Sequence, residues 1–132
     1  MGELKSVLCV DDDKDILEVA RMTLEVVADF DVTTCSNGLA AIELAREINP
    51  DLILLDVMMP GIDGPMTLKR IQSDPKITSI PVVMITARVQ HHEISKYFDI
   101  GAAGVIPKPF DPMTLHLELK AIWKDWQVPE TI

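Results

Sequence analysis

Five short apolar runs alternate along the chain with longer segments of helical periodicity. The runs cover residues 7–10, 32–35, 52–55, 82–85 and 105–106. Four of the five are apolar throughout, which is typical of parallel strands covered on both faces, whereas a half-exposed strand would alternate. The pattern therefore predicts buried parallel strands that are connected by helices.

The segments between the runs carry apolar residues at helical spacing and predict five helices. The expected core positions are Ile16, Ala20, Leu24, Val27; Ala41, Leu44, Ala45, Ile48; Leu68, Ile71; Ile94, Tyr97, Phe98; and Leu115, Leu119, Ile122, Trp126. Helix starts are indicated at Asn37-Gly38, Gly64-Pro65 and Asp111-Pro112. With right-handed crossovers these elements give an α/β fold of the (βα)5 type, an open parallel sheet with helices on both faces. The pattern alone leaves the strand order open.

Length and composition restrict the class of protein further. A chain of 132 residues suits one domain, so we expect a single domain over 1–132 with a core at about 6–126 and no output domain. A net charge of −9 argues against nucleic-acid binding. No apolar stretch is long enough to span a membrane and no basic leader is present, so we expect a cytoplasmic protein without a membrane partner. Cys9 and Cys35 are interpreted as reduced core residues.

Polar residues with related chemistry follow four of the five predicted strands. They are Asp11, Asp12 and Asp13 after the first strand, Asp56 at the third, Thr86 at the fourth and Lys108 after the fifth. Because ligands of such sheets bind at the carboxyl ends of the strands, we expect these groups to meet at one edge. Clustered carboxylates repel one another unless a cation intervenes, and oxygen ligands with open coordination positions suit Mg²⁺.

This set of groups predicts phosphoryl transfer, with Asp56 as the nucleophile and with Thr86 and Lys108 holding the phosphoryl oxygens. Each group alone has a simpler interpretation. The run Asp11 to Asp13 could cap the first helix, Thr86 could be a turn hydroxyl, and Lys108 could be a solvated lysine. Because suitable groups occur together at the ends of four strands, a single phosphoryl site is favoured over four separate explanations.

Four motifs now suggest a family. They are Val10-Asp11-Asp12-Asp13, the segment 56–64 (DVMMPGIDG), Met84-Ile85-Thr86-Ala87 and Lys108-Pro109-Phe110. In this order and spacing, the chain resembles a single-domain receiver of the response-regulator family of two-component signalling, from about Ser6 to Trp126. The resemblance implies a flavodoxin-like sheet of order 2-1-3-4-5.

The same resemblance implies roles for the site residues. Asp56 would be the phospho-acceptor, Asp12 and Asp56 would ligate Mg²⁺ directly, and Met58 would supply a backbone carbonyl. Asp11 would act mainly through metal-bound water. Thr86 and Lys108 would grip the phosphoryl oxygens, and the Lys108–Pro109 bond would be cis.

The resemblance also implies partners. A histidine kinase or a phosphotransfer protein would be the phosphoryl donor, and the only enzymatic chemistry would be self-phosphorylation and self-dephosphorylation. The signal would leave through the fourth helix, fifth strand and fifth helix to an unknown protein target, with a homodimer as another option. Trp123 lies off the apolar stripe of the fifth helix, either as an exposed anchor or partly buried against a neighbouring loop.

One position departs from the family pattern. Many relatives carry an aromatic residue three positions before the lysine, where this chain has Val105. A valine has one stiff side-chain torsion and no ring to swing, which predicts a signal carried by the loop after Thr86 and by the fourth helix. The resemblance also implies that Met58 and Arg88 occupy two positions that tune the lifetime of the phosphorylated state in the family. Neither is an obvious base for water, so we expect slow intrinsic dephosphorylation.

Three alternatives stay open at this point. A receiver-like scaffold could work without phosphorylation, and Val105 is the one feature that favours it. A Mg²⁺-dependent aspartyl-phosphate phosphatase is disfavoured, because Met58 stands where such enzymes need a second aspartate. The chain could also be a piece of a hybrid kinase or multi-domain regulator, which would have the same sequence.

Overall fold

The computed structural model describes residues 2–88 and 90–127, so residues 1, 89 and 128–132 of the expected domain lie outside the description. The strands are β1 (Ser6–Val10), β2 (Asp31–Cys35), β3 (Leu52–Asp56), β4 (Val82–Thr86) and β5 (Gly104–Pro107). The helices are α1 (Lys14–Val26), α2 (Gly38–Ile48), α3 (Gly64–Gln72), α4 (His91–Asp99) and α5 (Leu115–Gln127). Within the described part of the chain, no helix is long and apolar enough to cross a membrane.

All five strands pair in parallel in the order β2-β1-β3-β4-β5, which confirms the expected fold. The central strand β3 is buried along its whole length. Its register pairs Leu55 with Val10 of β1 and Asp56 with Ile85 of β4. The carboxyl ends of β1, β3 and β4 therefore finish at nearly the same level, and the loops that follow them share one edge of the sheet.

Side chains of each strand alternate between two hydrophobic clusters, one on each face of the sheet. Leu8, Ile53 and Met84 pack with α2, α3 and α4, whereas Cys9, Leu54 and Val83 pack with α1 and α5. Cys9 and Cys35 are buried free thiols on opposite faces, as expected for core cysteines. The sheet is thus covered on both sides, and only its edges and strand ends stay accessible.

The starts of the helices differ in how they are capped. Asn37 caps α2 by accepting from the Ala40 amide at 2.8 Å, and Asp63 caps α3 in the same way. The residue before α4, Gln90, makes no side-chain capping bond in the described structure. The expected start of α5 at Asp111-Pro112 is wrong, because residues 112–114 form a turn and regular helix begins at Leu115.

Four residues that the periodicity placed in the core are exposed. They are Val27 at 47%, Ile48 at 41%, Phe98 at 48% and Trp126 at 46%. A helix of 13 residues is about 20 Å long and a strand of five residues about 17 Å, so the last turns of the 13-residue helices α1 and α5 extend past the sheet and leave Val27 and Trp126 uncovered. Ile48 is the last residue of α2, so no following helical turn covers it. Phe98 is exposed because it follows the buried Tyr97, and neighbouring helical residues point about 100° apart.

Trp123 lies partly buried, which decides between the two alternatives for this residue. Its ring packs against the cluster formed with α1 and α5, and its Nε1 donates to the Gly2 carbonyl at 3.1 Å. It also stacks on Trp126 with ring centroids 5.9 Å apart. On α5 the exposed aromatic ring is therefore that of Trp126.

Candidate functional site

Three carboxylates from the ends of β1 and β3 meet at one edge of the sheet. Asp11, Asp12 and Asp56 each place an oxygen within 4.8 Å of the others. Asp11 and Asp56 are 3% and 4% exposed, whereas Asp12 faces solvent. The structure thus brings together the acidic residues that the strand ends indicated, with two of them held out of water.

Asp13, the remaining acidic residue after β1, caps a helix instead of joining the carboxylate cluster. Its carboxylate accepts from the Asp15 amide at 2.9 Å and from the Ile16 amide at 3.4 Å, and so caps α1. The Asp13 amide in turn donates to Asp11 Oδ1 at 2.9 Å. The capping interpretation of the acidic run therefore holds for Asp13.

Lys108 enters the acidic cluster from the end of β5. Its Nζ lies 3.0 Å from Asp11 Oδ2 and 3.0 Å from Asp56 Oδ1. The Lys108 amide donates to the Thr86 carbonyl at 2.8 Å, which fixes the start of this loop against β4. The bond from Lys108 to Pro109 is cis, as expected.

Burial and charge act in opposite directions on the titrating groups of the site. Burial raises the pKa of Asp56, and the Asp11 charge adds to this rise, while the hydrogen bond from Lys108 opposes it. For Lys108, burial lowers the pKa, but hydrogen bonds to Asp56 and Asp11 outweigh this and the pKa is raised overall. The lysine therefore stays charged and compensates the two buried carboxylates.

Thr86 is the last residue of β4 and is 2% exposed. Its Oγ1 accepts from the Arg88 amide at 3.0 Å. Because Ile85 is paired with Asp56, Thr86 stands one residue beyond the carboxylate-bearing end of β3. Thr86 is thus at the shared edge, as the sequence indicated.

Two glycines allow the loop after Asp56 to adopt its conformation. Gly61 has a φ of 80°, a conformation that favours glycine. The Gly64 amide donates to the Val57 carbonyl at 2.8 Å, and a Cβ at Gly64 would lie 2.6 Å from the Asp56 carbonyl oxygen. Met58 lies in this loop and is 65% exposed, and hydrogen bonding from its backbone opposes the rise in the pKa of Asp56 that burial causes.

The donor set fits a hard divalent cation such as Mg²⁺. The cluster offers carboxylate oxygens, the ligand type that Mg²⁺ prefers, and one side open to water at Asp12. The three carboxyl groups outnumber the single Lys108 ammonium, so the cluster has room for further positive charge. An edge with these groups can bind a cation and present one carboxylate to an electrophile such as a phosphoryl group.

An apolar cavity of about 440 Å³ borders the site on the side of α1 and β5. It is lined by Asp15, Ile16, Val19, Ala87, Lys108, Pro109 and Phe110. Lys108 therefore faces both the carboxylate cluster and this cavity, which gives a second molecule room to approach the site.

Residues 7–120 match the family model of the response regulator receiver domain. A transcriptional regulatory protein CpxR homolog of Haemophilus influenzae is 40% identical over 119 residues, which cover 90% of this chain and 50% of that protein. The phosphate regulon transcriptional regulatory protein PhoB of Pseudomonas aeruginosa is 35% identical, with 89% and 51% covered. The chain thus spans about half the length of these curated relatives.

Solved structures show the same architecture over nearly their full length. A putative response regulator from Chloroflexus aurantiacus superposes with a TM-score of 0.84 and 30% identity, covering 92% of this chain and 99% of that one. The chemotaxis response regulator CheY4 of Vibrio cholerae also gives 0.84, with 29% identity and coverage of 90% and 98%. The similarity therefore extends across the sheet, its helices and the edge where the carboxylates meet.

One residue near the site was missed by the sequence reasoning. Tyr97 was expected only as a core residue of α4, where burial raises the pKa of its hydroxyl, yet hydrogen bonding with the Thr86 side chain opposes this rise. Helical periodicity shows that position 97 faces inward but does not show which strand end the hydroxyl reaches.

Proposed function

Because this chain belongs to the response regulator receiver domain family, we propose that it accepts a phosphoryl group on Asp56 in a Mg²⁺-dependent reaction and signals through a protein-binding surface. The observation that carries this proposal is the position of the Lys108 ammonium, 3.0 Å from both Asp11 and Asp56 inside a cluster of three carboxylates. A receiver domain of this kind is a phospho-acceptor rather than a dedicated enzyme, and its own chemistry is limited to gaining and losing the phosphoryl group.

In the proposed reaction, a carboxylate oxygen of Asp56 attacks the phosphorus of a phosphohistidine. The O–P bond forms as the P–N bond to the donor imidazole breaks, so that Asp56 becomes an acyl phosphate and the histidine leaves with the electron pair of that bond. The family implies a histidine kinase or a phosphotransfer protein as this donor. The cavity of about 440 Å³ beside Lys108 is where we place the approaching donor surface.

We assign Asp12 and Asp56 as direct Mg²⁺ ligands, Met58 as the source of a backbone carbonyl ligand, and Asp11 as a ligand acting mainly through water. When bound, the cation would neutralise charge on the transferring phosphoryl group. The exposed carboxylate of Asp12 is suited to receive the cation from solvent, while buried Asp11 and Asp56 are the groups that gain most from its charge.

Two further side chains complete the proposed site. The Lys108 ammonium would pair with a phosphoryl oxygen in place of one of its present carboxylate contacts. The Thr86 hydroxyl oxygen now accepts a hydrogen bond from the Arg88 amide. In the phosphorylated state this hydroxyl would donate a hydrogen bond to another phosphoryl oxygen. Both groups are held at the edge by the backbone bond between them, from the Lys108 amide to the Thr86 carbonyl.

Loss of the phosphoryl group by hydrolysis is expected to be slow. Met58 and Arg88 both face solvent near the site, but neither side chain can take a proton from an attacking water. A purified phosphorylated chain that loses its phosphoryl group rapidly would contradict this part of the proposal.

The output surface is proposed on α4, β5 and α5. Phe98 of α4 is 48% exposed, and Leu117 and Trp126 of α5 are 55% and 46% exposed. These side chains give the surface apolar contact area for a protein target, or for a second copy of the chain. We propose a cytoplasmic location and no nucleic-acid partner for the described domain, in line with its family and its net charge of −9.

Acetyl phosphate, a small phosphoryl donor, tests the acceptor role without the native kinase. The purified chain is incubated with acetyl phosphate with and without Mg²⁺, and intact mass is measured. We expect one phosphoryl adduct that requires Mg²⁺ and is absent from Asp56→Asn. The matched control is Asp63→Asn, which changes an aspartate of the same loop to a residue that still caps α3.

The outcomes separate the proposal from its main rival. An adduct that forms in Asp63→Asn and not in Asp56→Asn supports acceptance on Asp56. Absence of an adduct from the unaltered chain at any Mg²⁺ concentration would overturn the proposal and favour a scaffold that works without phosphorylation.

A further inference from the structure

The apolar cavity beside the carboxylate cluster has the size of a small-molecule site. Its volume of about 440 Å³ lies in the range of about 300–1,000 Å³ that is typical of small-ligand pockets. Helix α1 supplies Asp15, Ile16 and Val19 to its lining, while the loops after β4 and β5 supply Ala87 and residues 108–110. The cavity therefore lies at the carboxyl edge of the sheet, between α1 and the loops that follow two strands.

The lining of the cavity combines hydrocarbon with a single positive charge. Ile16, Val19 and Phe110 offer apolar side chains, and the two charged lining residues are Lys108 and Asp15. The ammonium attracts one anionic group, whereas the carboxylate of Asp15 repels a second one. A molecule with one anionic end and an uncharged apolar tail therefore matches this lining.

The cavity begins where a phosphoryl group would be held. Lys108 lines it and also places its Nζ 3.0 Å from Asp56 Oδ1, and Ala87 directly follows Thr86. In an in-line displacement, the attacking and the leaving oxygens lie on opposite sides of the phosphorus. Because Asp56 attacks from the end of β3, the leaving group points away from that strand and towards the cavity.

We propose that this cavity binds the acyl group of small acyl phosphates, so that the chain prefers aliphatic acyl phosphates longer than acetyl phosphate as phosphoryl donors. The inference rests on the proposed function and names a class of small-molecule substrate for the same site. The bond from the Asp56 oxygen to phosphorus forms as the P–O bond to the acyl group breaks. The carboxylate leaves with the electron pair of that bond and pairs with Lys108, while its hydrocarbon tail lies against Ile16 and Val19.

The length of the acyl chain changes binding but not reactivity. Straight-chain aliphatic carboxylates are leaving groups of nearly equal basicity, so acetyl, butyryl and hexanoyl phosphate transfer their phosphoryl groups with similar intrinsic ease. Burial of one methylene group strengthens binding by up to about fourfold. Butyryl phosphate, with two more methylene groups, should therefore exceed acetyl phosphate by up to about 15-fold in second-order rate constant.

Rates of adduct formation test this preference in the unaltered chain. The purified chain is incubated with Mg²⁺ and a series of concentrations of each acyl phosphate, and intact mass gives the phosphorylated fraction over time. Asp56→Asn gives the background, and acylation of lysines is recognised by its different mass. We expect second-order rate constants that rise from acetyl to butyryl to hexanoyl phosphate. Rate constants that are equal, or that fall with chain length, would overturn the inference.

Two valines of α1 provide a matched pair of variants. Val19 lines the cavity and is 42% exposed, whereas Val26, two turns further along the helix, lies outside this lining and is 80% exposed. Asparagine at either position leaves the buried core unchanged. We expect Val19→Asn to lose most of the preference for butyryl over acetyl phosphate, and Val26→Asn to keep it. An undiminished preference in Val19→Asn would mean that the acyl group binds outside this cavity.

The inference and the proposed function fail in different ways. Adducts that form on Asp56 at equal rates from all three acyl phosphates would leave the proposed function intact and refute the inference alone. If the unaltered chain forms no adduct with any of them, the proposed function fails first and the inference falls with it.

Discussion

At the scale of single residues, the contacts of Lys108 are the ones that a bound metal ion or phosphoryl group would change. Its side chain is 20% exposed and its ammonium contacts two carboxylates that are each 5% exposed. In this state the lysine is the cation that balances Asp11 and Asp56. A bound metal ion or phosphoryl group would compete for the same three groups.

We expect Lys108→Met to lower the free energy of unfolding in a metal-free buffer by about 1–3 kcal/mol, because two buried carboxylates lose their hydrogen-bond donor. Mg²⁺ would supply the missing positive charge, so the difference from the parent chain should narrow when Mg²⁺ is in excess. Urea unfolding with chelator and with Mg²⁺ measures both values. The control is Lys69→Met on the exposed side of α3, and a Lys108→Met chain as stable as the parent in chelator would contradict this account.

Cys9 gives the fold a dependence on alkaline pH. Burial, with a smaller effect from the Asp11 charge, raises the pKa of this thiol from 9.0 to about 12. The folded chain therefore keeps the thiol proton in a pH range where the unfolded chain has lost it. The contribution of the Cys9 thiol to the free energy of unfolding is therefore fully present below pH 9 and is lost as the pH rises towards 12.

The measurement compares the free energy of unfolding of the parent chain with that of Cys9→Ala across this pH range. We expect the advantage of the parent to shrink by up to about 4 kcal/mol between about pH 9 and 12. Cys35→Ala is the matched control, since burial raises the pKa of that thiol too but hydrogen bonding with the Asn37 backbone opposes the rise. An advantage that stays constant with pH would show that Cys9 ionises equally in both states.

The positions of the site residues could be predicted from the sequence because each one stands at or just after the end of an apolar run. Asp56, Thr86 and Lys108 were expected at one edge, and the structure places them there. The influence of Thr86 on the pKa of Tyr97 could not be predicted in this way. It depends on how far α4 lies from β4, a distance set by tertiary packing rather than by local spacing.

At the scale of elements, the loop from β3 to α3 is held in place by close approach of its two ends. The Gly64 amide meets the Val57 carbonyl, and no room exists for a side chain at position 64. Gly61 has the opposite constraint, a left-handed φ of 80° with no atom within 4 Å of the place where a Cβ would lie. One glycine is needed for space and the other for backbone conformation.

We expect Gly64→Ala to lower the free energy of unfolding by about 3 kcal/mol, because its methyl group would overlap backbone atoms of Asp56 and Val57. Gly61→Ala should cost about 1 kcal/mol, the strain of a left-handed alanine. Urea unfolding of the two variants gives the comparison. Equal losses would mean that the loop can open at position 64 to admit the methyl group.

Helix ends were the elements that the sequence predicted least well. Apolar spacing continues through Val27, Ile48 and Trp126, although these residues stand at or near helix ends and are exposed. Asp111-Pro112 has the composition of a helix start, yet its carbonyl and carboxylate first form a turn, with the Asp111 carboxylate accepting from the Met113 amide. Strands were predicted well, because a continuous apolar run has few other structures available in a chain of this size.

At the scale of the whole molecule, the parallel sheet gathers groups that are far apart in the chain. Asp11, Asp56 and Lys108 come from three strands that are not all neighbours in the sheet, since β4 lies between β3 and β5. Their contacts exist only in the folded chain. A ligand that binds this cluster therefore favours the folded state as a whole.

We expect Mg²⁺ at a hundred times its dissociation constant to raise the free energy of unfolding by about 3 kcal/mol. Asp12→Asn should lose most of this rise, because one charged ligand is removed from the cluster. Asp13→Asn is the matched control, since the adjacent residue caps α1 and asparagine caps equally well. Thermal unfolding over a Mg²⁺ titration measures the effect, and the same rise in both variants would place the cation elsewhere.

Position 90 sets how firmly α4 is held at its start. Side chains cap α1, α2 and α3, whereas Gln90 leaves the first amides of α4 without such an acceptor in the described structure. A loosely fastened helix costs less free energy to displace, so under the proposed function we expect the unphosphorylated chain to contain some molecules with α4 displaced. A residue such as aspartate at position 90 would make those molecules rarer. The basal level of the proposed signalling would therefore be adjustable at a single residue outside the proposed phosphorylation site, and selection could change the set point of the response without altering its chemistry.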